Sequence, residues 1–501
     1  MTMELPEYSI AEVQQQFERQ AWTAVTLCEA FLQRLAEVDR AGPTLRSVVE
    51  VNPDALDIAA ELDEERQQQG PRGPLHGIPV LLKDSIDTAD AMMTTAGSLA
   101  LEGNLAPQDA FIATKLRQAG AIFLGKTNMT EWANFRSTRS CSGWSSRGGQ
   151  VRNPYVLDRN PSGSSSGSAV AVAANLCTVA IGAETDGSIT RPACVNGIVG
   201  LKPTVGLVSR SGMIPVAPSQ DTAGPMARTV ADVATVLTVL TGYDPCDPVT
   251  QQRAGRAVPD YRSCLDPDGL RGVRLGVARD YFGNHEGTDA VMEHAMAQLE
   301  AAGAQIIDPV IFSKLPHLSE PELELLLYEF KASLNRYLTA HPRAKVRSLA
   351  DVIRFNQVHA TRVMPYFQQE LLESAQEKGD LRQPGYLAAK AECRRLARTE
   401  GIDKAMREHD LDAIIAPTHG TPAFTIDPIV GDKKLGGCSS VAAMAGYPHI
   451  TVPAGFVHGL PVGLSFFAGA YQEGNLLRYA YAFEQATQAR HAPRFVATIK
   501  S

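Results

Sequence analysis

No block rich in lysine or arginine, no membrane-length apolar run and no CxxC pair occurs in this 501-residue chain. Acidic side chains outnumber basic ones, 55 to 47, for a net charge of -8. Nucleic acid and anionic membranes would need a basic patch, so neither is an expected partner. The longest nearly apolar stretch, Ala169 to Ala183, is broken by Asn175 and Thr178 and is too short to span a bilayer. The opening MTMELPEYSI has neither the basic nor the apolar segment of a secretory leader. Eight cysteines are scattered without zinc-ligand or disulfide spacing. A reducing, cytoplasmic setting is the expectation, with no metal and no organic cofactor.

What is present is ordinary globular material. The chain is 44% hydrophobic and 20% charged, with ample length for a large core. Ser9 and Glu12 have capping-box spacing, and Leu27, Phe31, Leu35 and Val38 recur at helical spacing, which predicts two N-terminal helices. GIPVLLKD (77–84) reads as a buried strand ending in Lys83. A helix over about 110–118 stops before Gly120, and AIFLG (121–125) follows as a strand. AVAVAAN (169–175) reads as helix and LCTVAIG (176–182) as strand. Helical patterns occupy 320–340, 349–379 and 386–409. Strands return in DAIIAP (412–417), HITVPAG (449–455) and VGLSFFAG (462–469), before a last helix near 473–489. Strands alternating with helices at both ends of the chain predict an α/β fold round a large sheet. Because strands resume after the helix-rich stretch of about 260–410, it reads as an insertion within one domain spanning 1–501.

Two short motifs invite nucleotide or hydrolase readings. GAIFLGKT (120–127) fits the phosphate-loop pattern letter for letter. Its four spacer residues are themselves the strand, however, and amides paired in a sheet cannot point at a phosphate. GSSSG (163–167) fits a nucleophile elbow centred on Ser165. An elbow needs a strand before it, and VRNPYVLDRNP (151–161), with two prolines, makes a poor one. His419, His449 and His458 lie downstream to complete a Ser-His-acid set, yet no spacing selects among them. This α/β-hydrolase reading remains open as the mechanistic rival.

A longer constellation carries more information: GIPVLLKDSIDT (77–88), SGSSSGSAVAVAAN (162–175) and AIGAETDGSITRPACVNGIVGLKP (180–203). Together with GAIFLGKTNMTEWA (120–133), VRNPY (151–155) and GLKPT (200–204), they resemble the amidase signature family over about residues 70–240. Weaker agreement continues at APT (416–418) and 448–469. ETDGSI, RSTRSCSGWSSRGGQVRNPY and SQDTAGPMART look most like the bacterial peptide amidases within that family. The resemblance implies a mixed central β-sheet surrounded by α-helices, and hydrolysis of a carboxamide with release of ammonia. It places the nucleophile on Ser188, a bridging serine after a cis peptide bond on Ser164, and a lysine on Lys83. It assigns oxyanion and substrate contacts to the turn of Thr185, Asp186 and Gly187. Two departures stand out: Asp186 occupies a position where many members have glycine, and the usual S-I-R order reads Ser188-Ile189-Thr190-Arg191. The arginine's role therefore does not carry over to Arg191 from the pattern alone. A broad acyl or aryl amidase is an alternative on the same residues, and an amidotransferase-like protein working with partner chains is another.

The chemistry asked of Lys83 is demanding. A serine is a weak nucleophile until a neighbour takes its proton, and a free lysine, titrating near ~10.4, is almost fully charged at neutral pH. Burial disfavours the ammonium and lowers that value, and Lys83 closes an apolar run. Asp84 and Asp87 would oppose the shift if they faced it. Successive strand residues point to opposite faces, so Asp84 is expected to face elsewhere.

Overall fold

Short runs buried along their whole length, such as Pro79–Lys83, Ile122–Thr127 and Ala413–Pro417, form the middle of the molecule. Strands covered on both faces need no polar alternation, which is why they read as continuous apolar segments. The computed structural model describes residues 5–499 apart from 256, 313–316 and 434. Among the described residues eleven strands make one mixed sheet. Across it the order is Val48–Val51, Ile122–Thr127, Pro79–Lys83, Val179–Glu184, Thr222–Ala227, Val199–Lys202, His449–Val457, Leu460–Phe467, Ala413–Pro417, Arg274–Ala278 and Gln305–Val310. Pro79–Lys83 runs parallel to both of its neighbours, whereas the strands from Val179–Glu184 to Ala413–Pro417 pair antiparallel. Among the described residues no helix is long and apolar enough to cross a membrane.

Several sequence expectations meet their elements. The Ser9–Glu12 capping box closes the first turn of Ile10–Glu18. Phe111–Gln118 precedes the Ile122–Thr127 strand, the order that argued against a phosphate loop. Lys126, the lysine of that look-alike motif, is buried and donates to the Ile86 carbonyl and, at 3.1 Å, to the Thr94 hydroxyl. Of two long helical patterns, one is broken and one is kinked. The stretch 349–379 divides into Leu349–Val358, Ala360–Val363 and Glu370–Glu377. Pro365 explains the second break, because the residue before a proline is pushed out of the helical region, and Met364 sits at φ -128°. The stretch 386–409 stays helical but kinked: Pro384–Arg394 passes into the wider π-helical Arg395–Ile402, whose Gly401 adopts φ -105° and ψ -114°, and then into Asp403–His409. The helix expected from 169 begins three residues earlier, at Ser166.

This topology positions the site. Lys83 and Glu184 end adjacent parallel strands at their carboxyl ends, where open α/β sheets commonly place their ligands. From the helix-rich stretch, Ser319–Ala340 reaches this end: Phe330 meets the rings of Trp132 and Phe135 at centroid distances of 6.3 and 5.1 Å.

Candidate active site

The Gly/Ser-rich segment is no tether. All eight residues of the Ser166–Ala173 helix are buried, so the loop before it is anchored directly to the core. The Gly163–Ser164 peptide bond is cis. A Cβ at Gly163 would lie 2.3 Å from Thr130 Oγ1, so only glycine fits there. The Ser164 carbonyl accepts from the Thr130 amide at 3.1 Å, and the Ser165 amide donates to the Ser188 carbonyl at 3.1 Å. These two backbone contacts dock the loop between the Ile122–Thr127 strand and the downstream turn.

Lys83 Nζ donates to Ser164 Oγ at 2.8 Å and to the Ala183 carbonyl at 2.8 Å. Its pKa falls to about 7, because burial removes the water that would solvate an ammonium; Glu184 and Asp221 oppose the shift. Asp84 and Asp87 do not face Lys83. Asp84 accepts from the Gly97 amide at 3.1 Å and from the Arg147 guanidinium, and Asp87 accepts from Tyr337 at 2.7 Å and His341 at 2.8 Å. The carboxylates acting on Lys83 thus come from Glu184 and Asp221, which lie inside the ETDGSI and SQDTAGPMART stretches but had no role assigned there. Ser188 is 6% exposed, against 0% for Ser164 and 1% for Lys83. All three are buried, Ser188 the least completely.

The turn between Glu184 and Ile189 is held on every side. Glu184 reaches over it, accepting from the Ile189 and Thr190 amides at 2.7 and 3.0 Å. The Thr185 hydroxyl donates to Asp221 at 2.6 Å, and its carbonyl accepts from Gln220 Nε2 at 3.2 Å. Gln220 also donates to Glu322 at 2.8 Å, a carboxyl that burial pushes up to about 8. Asp186 accepts from Ser439 at 2.6 Å and Ser440 at 2.7 Å. Gly187 adopts φ +75°, a conformation that strains any residue with a Cβ. A cleft beside this turn has one apolar wall, of Met129, Trp132, Met213 and Phe330, and a polar one that includes Lys83, Glu184 and Asp221.

The rival nucleophile is differently placed. Ser165 Oγ donates to the Ala183 carbonyl at 3.0 Å and accepts from the Ala183 amide at 3.1 Å. Among the described residues no histidine bonds to Ser164, Ser165 or Ser188. His419 Nδ1 meets the Thr421 carbonyl at 2.9 Å, His449 meets Ser465 at 2.6 Å, and His458 is exposed.

A family model described as Amidase matches residues 26–477. The native peptide amidase of Stenotrophomonas maltophilia superposes with a TM-score of 0.93 at 54% identity, over 98% of this chain and 99% of that one. A probable amidase of Arabidopsis thaliana is 40% identical over 99% of this chain and 93% of its own length. A putative amidase of Schizosaccharomyces pombe is 35% identical over 98% of this chain and 87% of its own length. A family match over nearly the whole length, joined to this sheet order and fold likeness, establishes that the chain belongs to the amidase family and hydrolyses amide carbon–nitrogen bonds.

Proposed function

We propose that the chain is a peptide amidase, hydrolysing the C-terminal carboxamide of peptides through Ser188, Ser164 and Lys83. Neutral Lys83 takes the proton of Ser164, and Ser164 takes that of Ser188 as Ser188 attacks the amide carbonyl. The oxyanion so formed is met by backbone amides of the Thr185–Ser188 turn. Ser164 then passes a proton to the departing nitrogen, which leaves as ammonia, and recovers its own from the Lys83 ammonium; water, activated through the same neutral Lys83–Ser164 pair, releases the acyl group from Ser188 as a carboxylate. The observation that carries this reading is the 2.8 Å contact between Lys83 Nζ and Ser164 Oγ, made by a lysine poised at about 7. A base with a pKa near the working pH is present in its proton-accepting form and still strong enough to accept. Glu184 and Asp221 stabilise the ammonium once it forms.

The 54% identity to a peptide amidase supports a peptide amide as substrate, and the apolar wall of the cleft favours an apolar side chain on the amidated residue. Ammonia release from peptide amides ending in Phe, Leu, Gly and Asp, from simple aryl amides and from glutamine tests this. The expected ranking puts Phe and Leu amides first, with free hydrolysis by the purified single chain. A preference for aryl amides, or activity only with added partner chains and an ammonia acceptor, would replace this reading with one of the alternatives.

A further inference from the structure

We infer that Ser439 and Ser440, with Arg191, are positioning residues that hold the oxyanion turn in register; the inference rests on the assignment of Ser188 and this turn above. Asp186 departs from the glycine found in many family members, and its side chain makes specific contacts. Each carboxylate oxygen takes one hydroxyl: Oδ1 accepts from Ser439 at 2.6 Å and Oδ2 from Ser440 at 2.7 Å. Ser439 Oγ in turn accepts from Arg191 Nε at 3.0 Å. The Arg191 amide closes the circuit by donating to the Gly187 carbonyl at 2.9 Å.

The packing is as close as the hydrogen bonding. A Cβ at Gly187 would meet Arg191 Nε at 2.7 Å and Ser439 Oγ at 2.8 Å. The back of the turn thus rests directly on this pair, and there is no room for the turn to rock towards them. Ser439 and Ser440 begin the Ser439–Ala445 helix, between the Ala413–Pro417 and His449–Val457 strands. The contacts span about 250 residues of chain and tie the Val179–Glu184 side of the sheet to its other half. In this chain the displaced Arg191 reaches the turn through Ser439, so an arginine one position out of the usual order still buttresses it.

A turn whose amides must meet a charge that exists only during reaction gains from such bracing. Misplacing donors by a fraction of an ångström weakens transition-state binding while leaving substrate binding nearly unchanged. A merely structural contact would not divide the two in that way.

The test compares wild type with the Ser439→Ala/Ser440→Ala double variant on a peptide amide, and measures inhibition by the matching peptide aldehyde and peptide acid. The aldehyde adds the Ser188 hydroxyl across its carbonyl and places an oxygen where the oxyanion forms; the acid does not react. Expected is a fall in kcat of roughly 30-fold with KM within about twofold, below the loss for deleting an oxyanion donor outright. The aldehyde Ki rises by the same factor and the acid Ki stays put. Ser440→Thr, which keeps a hydroxyl, retains most of the rate. Unchanged kcat, or a loss of kcat with unchanged aldehyde Ki, overturns the proposal. If the double variant melts below the assay temperature, Ser440→Ala, which leaves the Ser439–Arg191 contact in place, is judged by the same criteria. Ser188→Ala in parallel separates two failures. Activity in that variant sinks the underlying assignment, whereas an inactive Ser188→Ala beside a double variant matching wild type sinks only the clamp.

Discussion

Ser188→Ala is expected to fall to background in ammonia release from a peptide amide, a loss of about 10⁵-fold or more, with folding and peptide-acid binding intact. The magnitude follows from what the serine does. In the proposed mechanism it forms the acyl bond, and residues acting as one unit lose nearly everything when the nucleophile goes. The structure offers no substitute at that place. Ser165 is adjacent in space through its backbone amide, but its hydroxyl is engaged with both backbone groups of Ala183. Ser164 is fully buried. Because the Ser188 carbonyl, not its hydroxyl, accepts from the Ser165 amide, alanine keeps that contact and the fold should not notice the change. Ser165→Ala measured beside it should retain most activity. Loss confined to Ser165→Ala would revive the elbow reading.

Lys83→Met should be both inactive and more stable than wild type. Losing the proposed general base costs about 10²- to 10⁴-fold in kcat. Stability moves the other way. Burial lowers the lysine from its ordinary 10.5 to about 7 in the folded chain, so at pH 7 folding works against roughly 4 kcal/mol of proton release. Methionine fills similar volume without that cost, forgoes a bond of about 1 kcal/mol to the Ala183 carbonyl, which keeps Ser165, and leaves the Ser164 hydroxyl short of its partner at about 1–3 kcal/mol. A net gain of about 1 kcal/mol follows, seen as a slightly higher Tm at pH 7. The sign has a second consequence. Between pH 7 and 10.5 the unfolded chain binds the proton that folded Lys83 has released, so this group makes wild-type stability rise with pH across that window. Lys83→Met loses that part of the slope. A variant less stable than wild type at pH 7 would mean that the lysine sits charged and paired in the fold.

The framework of the candidate site is legible in the sequence because its signals are local. An apolar run closing in lysine predicts a buried strand end, and the Gly/Ser stretch passing into AVAVAAN predicts a bend backed by a core helix. Lys83, Ser164 and Ser188 stand out through an ordered set of such blocks, and the fold brings the first two into contact and ties the third through Ser165. What escapes is whatever lies far away in sequence and carries no pattern. Glu322, Ser439 and Ser440 are common polar residues on other segments, and only chain topology puts them round the turn, while Gln220 and Asp221 lie within the SQDTAGPMART block but nothing in it gives their partners. Asp84 faces away from Lys83, as strand alternation predicts. Its partner Arg147, sixty-three positions on, has no periodic signal to announce it.

The pH dependence of kcat/KM for a peptide amide tests most directly whether a buried, neutral Lys83 drives the reaction. The expected profile is level above about pH 7 and falls tenfold per unit below it, as the folded-state pKa of about 7 requires. A rate that stays level down to pH 5, or that rises only as pH approaches the ordinary lysine value of 10.5, would contradict the relay.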